Sequence, residues 1–217
     1  MRVIAGRFKG HPLAAVPGQN TRPTTDRVRE AWASSINILR PGGFADATVL
    51  DAFAGSAALG LEAWSRGASS LLLIDNDPRA IQTIRKNLVA LGLTSNPAIK
   101  LIKGDSLSPM ILRHLALVAP FDLVFIDPPY NTPKKRIISF VRFLADSNLL
   151  AEGCLISYEH QAIKPKHVDK PAVLSTDSDN WPPSLKMVSG KQYSNTAIEY
   201  FRYDTDDEGS GLSTSSV

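Results

Sequence analysis

The chain has 217 residues, 43% of them hydrophobic, which is enough for one large domain with a full core, with or without a small appendage. No uninterrupted apolar run is long enough to span a bilayer, the polar start from Met1 to Arg7 is unlike a signal-peptide core, and one cysteine leaves no internal disulfide and no Cys-rich metal site. The net charge of +3 is unevenly spread: Arg2, Arg7, Lys9, Arg22, Arg27, Arg29 and Arg40 face only Asp26 and Glu30 within residues 1–40, whereas Asp204, Asp206, Asp207 and Glu208 end the chain with no basic residue among them. A reducing, cytoplasmic setting and a polyanionic partner are expected, with no membrane association.

Residues 1–22 read as a basic arm or hairpin of short apolar pieces broken by Gly6, Gly10, Pro12, Pro17 and Gly18. Thr24 or Thr25 is a candidate cap for a helix that carries Asp26 in its first turn and turns Val28, Ala31, Trp32, Ser35, Ile36 and Leu39 towards a core; Pro41-Gly42-Gly43 ends it. Strands are then expected at Thr48–Phe53, Ser70–Asp75, Ala98–Ile102, Phe121–Ile126 and Gly153–Tyr158. Between them lie helices at Ala57–Arg66, Pro78–Leu91, 107–118 and 135–146, with Pro78 suited to a first turn. Continuous apolar strands alternating with helices mean a parallel sheet covered on both faces. Cys154 sits in the fifth of these strands and reads as a small buried hydrophobe. A polar, proline-containing connection follows at 161–183, and Leu185–Val188 and Thr196–Phe201 are candidate antiparallel strands closing the sheet. The domain therefore ends near 203, and the Asp- and Ser-rich stretch 204–217 is expected to be disordered.

Four successive strands end in an acid: Asp51, Asp75, Asp105 and Asp127. Open α/β sheets bind ligands at that edge, and four carboxylates there repel one another unless a ligand or water compensates. Asp51 opens the small-residue turn Phe53-Ala54-Gly55-Ser56, which lets backbone approach a ligand closely; an acid in that place argues for a cationic or amine-bearing group rather than a phosphate. Asp75, followed by Asn76, is placed to chelate two ribose hydroxyls of a nucleoside-type cofactor, while Asp77 before Pro78 reads as an N-cap. Asp105, next to Ser106, either accepts from an adenine amino group or caps the next helix. Asp127-Pro128-Pro129-Tyr130 offers an acid and a backbone carbonyl as acceptors for a planar amine and a ring to stack on it; the same prolines also simply end a strand. No histidine accompanies the acids, so no metal is expected.

Acid-x-Phe-x-Gly-Ser after the first strand, an acid after the second, Gly-Asp after the third and Asp-Pro-Pro-Tyr after the fourth resemble the class I S-adenosylmethionine-dependent methyltransferases, in the branch that acts on exocyclic or amide nitrogens. Residues 2–6, the segment Arg22-Pro23-Thr24-Thr25-Asp26-Arg27, Leu59–Ala63 and Ser65–Ala68 narrow this: they are similar to the RsmD family, over about residues 1–203. The resemblance implies a Rossmann-like fold with a seven-stranded, mostly parallel sheet. It implies methylation of N2 of a guanine in 16S ribosomal RNA, at the position usually numbered 966, within the small subunit or an assembly intermediate. S-adenosyl-L-methionine would be held by Thr24, Thr25, Asp51, Phe53, Gly55, Ser56, Asp75, Asn76, Asp105 and Ser106. Asp127, Pro128, Pro129 and Tyr130 would be catalytic, with Arg2, Arg7, Lys9, Arg22, Lys134, Lys135 and Arg136 on RNA phosphates, in a monomer. Four positions depart from the family pattern: Ala57 and Ser194 stand where glycine is usual, Asp75 where glutamate is frequent and Ser34 where asparagine is common. An adenine-N6 methyltransferase acting on DNA or RNA, which shares the Pro-Pro-aromatic motif, and a non-catalytic RNA-binding assembly factor are the competing readings.

Overall fold

The computed structural model describes residues 1–18, 26–162 and 180–205. Its elements in order are α1 (Asp26–Leu39), β1 (Thr48–Asp51), α2 (Ala58–Ser65), β2 (Ser70–Asp75), α3 (Pro78–Ala90), β3 (Ile99–Lys103), a 3-10 turn (Pro109–Ile111) that runs into the short α4 (Leu112–Leu115), β4 (Phe121–Ile126), α5 (Lys134–Asp146), β5 (Leu150–Gln161), β6 (Leu185–Tyr193) and β7 (Thr196–Tyr203). One seven-stranded sheet has the order β3-β2-β1-β4-β5-β7-β6. The pairs from β3 to β5 are parallel, and β7 runs antiparallel to both β5 and β6. This is the Rossmann-like α/β sheet expected from the alternation of apolar strands and helices.

The period of two along each strand divides the core into two layers. Val49, Leu71, Leu73, Leu123, Phe125 and Leu155 pack with Trp32 and Ile36 of α1, Leu61 of α2 and Ile84 and Leu88 of α3. Leu50, Leu72, Ile74, Val124, Ile126 and Ile156 pack with Leu115 of α4 and with Ile137, Phe140, Val141 and Leu144 of α5. Both faces are apolar, so the central strands read as unbroken hydrophobic runs rather than alternating ones. Pro78 occupies the first turn of α3, and the Asp77 carboxylate caps it by accepting from the Arg79 amide at 2.8 Å.

Beyond shifts of one or two residues at element ends, four elements differ from expectation. Strand β6 runs on past Val188 to Tyr193. The helix at 107–118 is a 3-10 turn, started where the Ser108 hydroxyl accepts from the Met110 amide, plus one turn of α-helix. Strand β5 is longer than Gly153–Tyr158, because a bulge lets Leu150 pair with Phe121 and Leu155 with Leu123, and Gly153 takes a left-handed φ of 73° inside it. In α1 the inward face is Arg29, Trp32, Ala33, Ser35 and Ile36, rotated slightly from the expected stripe, so Val28, Ala31 and Leu39 are only half-buried. Ala57 (φ 62°) and Ser194 (φ 55°) are both left-handed, which is the physical reason glycine suits those two positions.

The N-terminal residues are not a free arm. Arg2 and Pro12 form an antiparallel bridge, and Val3 and Leu13 are buried in the core. The buried Glu62 carboxylate of α2 accepts from the amides of Ile4 (2.7 Å) and Ala5 (3.0 Å). Gly6 lies so close to α2 that a Cβ there would sit 1.9 Å from the Ser65 carbonyl oxygen. The Thr24/Thr25 cap, Arg22, the middle of the 161–183 connection and the chain beyond Thr205 lie outside the described residues.

Candidate active site

The order in which successive strands are added to the sheet reverses between the parallel neighbours β1 and β4, and a cleft of about 600 Å³ opens at the carboxyl edge of that switch point. A volume of this size takes a nucleoside-type cofactor and a second flat group. Asp51, Asp75, Asp105 and Asp127 all line it, as do Phe53, Gly55, Ser56, Asn76, Ser106, Pro128, Pro129 and Tyr130. The four acid-tipped strands thus converge on one space.

Each acid is held differently. Asp75 ties two loops together: one oxygen accepts from the Gly55 amide and the other from the Asp77 amide, both at 2.8 Å. Each oxygen keeps further acceptor capacity, and Asp75 lines the cleft, which suits a pair of vicinal hydroxyls. Gly55 has φ 56°, and the place where a Cβ would project is empty, so backbone and ligand can approach there. Asp51 is 2% exposed and accepts from the Gly60 amide at 3.0 Å. Burial first, and then the charges of Asp127 and Asp75, push its carboxyl up to about 7. Asp105 is exposed at the rim; it accepts from the Leu107 amide at 2.9 Å and lies 3.5 Å from Arg136. The Ser106 hydroxyl donates to the Ala52 carbonyl, which locks the β3 loop against the end of β1.

Asp127, Pro128, Pro129 and Tyr130 form the turn that leaves β4, closed by the Thr132 amide donating to the Pro129 carbonyl at 2.8 Å. Tyr130 is 51% exposed, yet its hydroxyl is bonded to Thr196 Oγ1 of β7 at 2.9 Å. A large ring presented to solvent but fixed at its far end is pre-organised for stacking. Burial pushes the Asp127 carboxyl up to about 6. A carboxyl group, a proline carbonyl and a fixed ring carried by one turn in the cleft wall are groups that suit a planar amine.

The family model described as "Conserved hypothetical protein 95" matches residues 1–201. Ribosomal RNA small subunit methyltransferase D of Escherichia coli is 31% identical over 194 residues, covering 88% of this chain and 86% of that one. YlbH of Bacillus subtilis, provisionally named an rRNA methyltransferase, is 38% identical over 162 residues, covering 74% and 82%. This chain belongs to the RsmD family. The solved structure of yhhF, a provisionally named methyltransferase of Escherichia coli, superposes with a TM-score of 0.72 at 29% identity, covering 94% of this chain and 98% of that one. The RsmD-family fold is that of the class I S-adenosylmethionine-dependent methyltransferases.

In this RsmD-family chain none of Arg2, Arg7, Lys9, Lys134, Lys135 and Arg136 lines the cleft, and several of them are already engaged. Arg2 pairs with Asp26 at 2.9 Å, and the Arg7 guanidinium lies over the rings of Trp64 (4.7 Å) and Phe8 (5.1 Å). Lys9, Lys135 and Arg136 are exposed, and the Lys134 ammonium lies 6.0 Å from the Trp181 ring. Two lining residues escape sequence reasoning. Arg29, which composition alone groups with the basic arm, is buried in the cleft wall; its Nη2 donates to the Arg2 carbonyl and to Asp26, while Nε and Nη1 have no protein partner. Its signal is its place one turn before Trp32 on the inward stripe of α1. Glu159 lines the cleft beside Asp127 and is hidden in sequence because the apolar run of β5 stops at Tyr158. Among the described residues, no helix is long and apolar enough to cross a membrane.

Proposed function

We propose that this chain methylates N2 of a guanine in the 16S RNA of the small ribosomal subunit, the guanine usually numbered 966, using S-adenosylmethionine. The name of the Escherichia coli relative supports small-subunit RNA as the substrate, and that of the Bacillus subtilis relative supports ribosomal RNA. The observation that carries the reading is the Asp127–Tyr130 turn: two acceptors and a fixed, half-exposed ring at the mouth of the acid-lined cleft.

Bound S-adenosylmethionine supplies an electrophilic methyl group, whose bond to sulfur breaks with both electrons going to sulfur. Asp75 would hold the ribose hydroxyls and Asp105 and Ser106 the adenine. Asp51, Phe53, Gly55, Ser56 and Asn76 would line the rest, with Thr24 and Thr25 closing over the carboxylate. The cationic methionine end suits a wall of carboxylates. Guanine N2 is a poor nucleophile because its lone pair is delocalised into the ring. Asp127 and the Pro128 carbonyl accept its two hydrogens, favour a pyramidal nitrogen and free that lone pair; Asp127 then takes the proton released. Tyr130 stacks on the flipped base, and orientation supplies much of the rate. Arg2, Arg7, Lys9, Arg22, Lys134, Lys135 and Arg136 meet RNA phosphates, the enzyme acting as a cytoplasmic monomer.

The test is methyl transfer to small subunits that lack the modification. Asp127→Ala is expected to lose transfer by at least about a hundredfold, in the range of a missing acid–base group, and to keep its affinity for S-adenosylhomocysteine. Full activity in that variant would remove the catalytic assignment.

A further inference from the structure

Strands β4 and β5 are parallel neighbours in a register that pairs Ile126 with Tyr158, so the next residues, Asp127 and Glu159, stand side by side at the carboxyl edge. Both line the main cleft, and both line a water-sized cavity beneath it, closed by Trp32 and Ile198. The apolar floor beneath the two carboxyls is otherwise satisfied, since Trp32 Nε1 donates to Ser157 Oγ at 3.1 Å. Neighbouring strands are about 4.8 Å apart, comparable to the span from N2 to O6 along the Watson–Crick edge of guanine.

We propose that Glu159, as a neutral carboxyl, pairs with the lactam edge of the target guanine, its carbonyl oxygen accepting from N1–H and its hydroxyl donating to O6, and so selects guanine over adenine. The assignment rests on the guanine-N2 reading given above and extends it from the amine to the base. Asp127 takes one hydrogen of N2, and Glu159 takes the next two groups along the same edge. Adenine offers an amine beside a bare ring nitrogen and no oxygen, so it leaves the Glu159 carbonyl oxygen unpaired in a desolvated wall.

The neutral form is what the surroundings favour. Burial and then the charge of Asp127 push the Glu159 carboxyl up to about 8. The charged and titratable groups on its face are Asp127 and Asp51 from β4 and β1, Tyr200 from β7 with Tyr193 behind it, and Arg29 from α1. Arg29 is the one cationic side chain among the described residues lining the cleft, and its Nη2 is committed to Asp26 and the Arg2 carbonyl. The imidazole next in sequence, His160, belongs to Glu199, at 3.5 Å. At neutral pH the two carboxyls therefore share a proton as a pair, and the pairing with the lactam edge places it on Glu159.

The experiment measures kcat/KM against pH for the full-length enzyme, Glu159→Gln and Glu159→Ala on unmethylated small subunits, with S-adenosylhomocysteine affinity measured alongside. A glutamine amide keeps one acceptor and one donor and has no proton to lose. Glu159→Ala is expected to lower kcat/KM by roughly ten- to a hundredfold, the size of one good base-edge pair, without weakening S-adenosylhomocysteine. Glu159→Gln is expected to recover most of that loss and to abolish the fall in activity that the parent shows as pH rises through about 8. Equal losses in both variants, parental activity in Glu159→Ala, or an alkaline fall that persists in Glu159→Gln would each overturn the assignment. A parent product other than N2-methylguanosine overturns the underlying reading, and this assignment with it, before any variant is compared.

Discussion

Asp51 is buried beside two other carboxyls and receives the Gly60 amide, so its proton is held in the folded state up to about 7, against 3.8 for a free aspartate. The unfolded chain releases that proton first. Between those values the native state binds more protons than the unfolded one, so this group's contribution to stability is full below about 4 and is lost as pH rises through about 7. Asp51→Asn, which keeps an acceptor for Gly60, is therefore expected to flatten the fall in melting temperature between pH 4 and 8 and to melt above the parent at pH 8. Melting curves across that range check it. An unchanged pH profile would mean that the Asp51 charge is compensated in the empty cleft. Such stability held back at a ligand edge is common where a site needs charge that folding does not. The strand-tip acids were legible because Asp51, Asp75 and Asp127 directly follow an apolar run and only Lys103 and Gly104 separate Asp105 from one. Arg29 and Glu159 were not, since a buried arginine within a helix and an acid beyond the apolar part of β5 look, in sequence, like solvated surface.

Among the elements, α2 does two things. Its N-terminus sits over the cleft loop, and its outward side clamps the first strand-like residues through Glu62. That carboxylate is fully buried and takes the amides of Ile4 and Ala5 and the Arg66 guanidinium, the last at 2.7 Å. Charge-assisted bonds of this kind contribute about 1.5–3 kcal/mol each. Glu62→Gln is thus expected to speed amide exchange at Ile4 and Ala5 by on the order of ten- to a hundredfold, while the amides of β1 and β4 keep their protection. Uniform loss of protection throughout the sheet would instead make Glu62 part of the global fold. Sequence reasoning found β2 and β4 at their observed limits, because turn residues bound both runs. It overextended the helix after β3, where no long apolar stripe supports one. It also missed that the glycine-broken N-terminus is docked, because the docking partner is an acid 58 residues away along the chain. Ala57 shows how a local departure is tolerated: left-handed backbone costs a non-glycine residue about 1–2 kcal/mol, and burying its methyl group returns about 0.8 kcal/mol.

For the whole molecule, charge is arranged by region. The cleft is walled by carboxyls, whereas Arg2, Arg7 and Lys9 sit on the docked N-terminal piece and Lys135 and Arg136 on the start of α5, beside the Asp127–Tyr130 turn. A cationic cofactor and a polyanionic RNA would therefore be drawn to different parts of one surface. Lys9 is exposed and makes no ion pair or ring contact among the described residues, unlike Arg7 on Trp64, so it is the cleaner probe of this arrangement. Lys9→Glu is expected to weaken binding of small-subunit RNA and to lower the slope of log affinity against log salt by about 1, with melting temperature unchanged. Parental affinity and slope would assign the N-terminal piece to the fold alone. The overall sheet was readable from the strand–helix alternation, since two covered faces demand apolar runs of that length. The choice of guanine was readable only by family resemblance.

The central claim is that the turn after β4 directs a methyl group to the N2 amine of a guanine. Unmethylated small subunits can be incubated with the enzyme and methyl-labelled S-adenosylmethionine, and the 16S RNA digested to nucleosides. Label is expected in N2-methylguanosine at a single site with the parent enzyme and nowhere with Asp127→Ala. Label in N6-methyladenosine, or label that persists in Asp127→Ala, would contradict it.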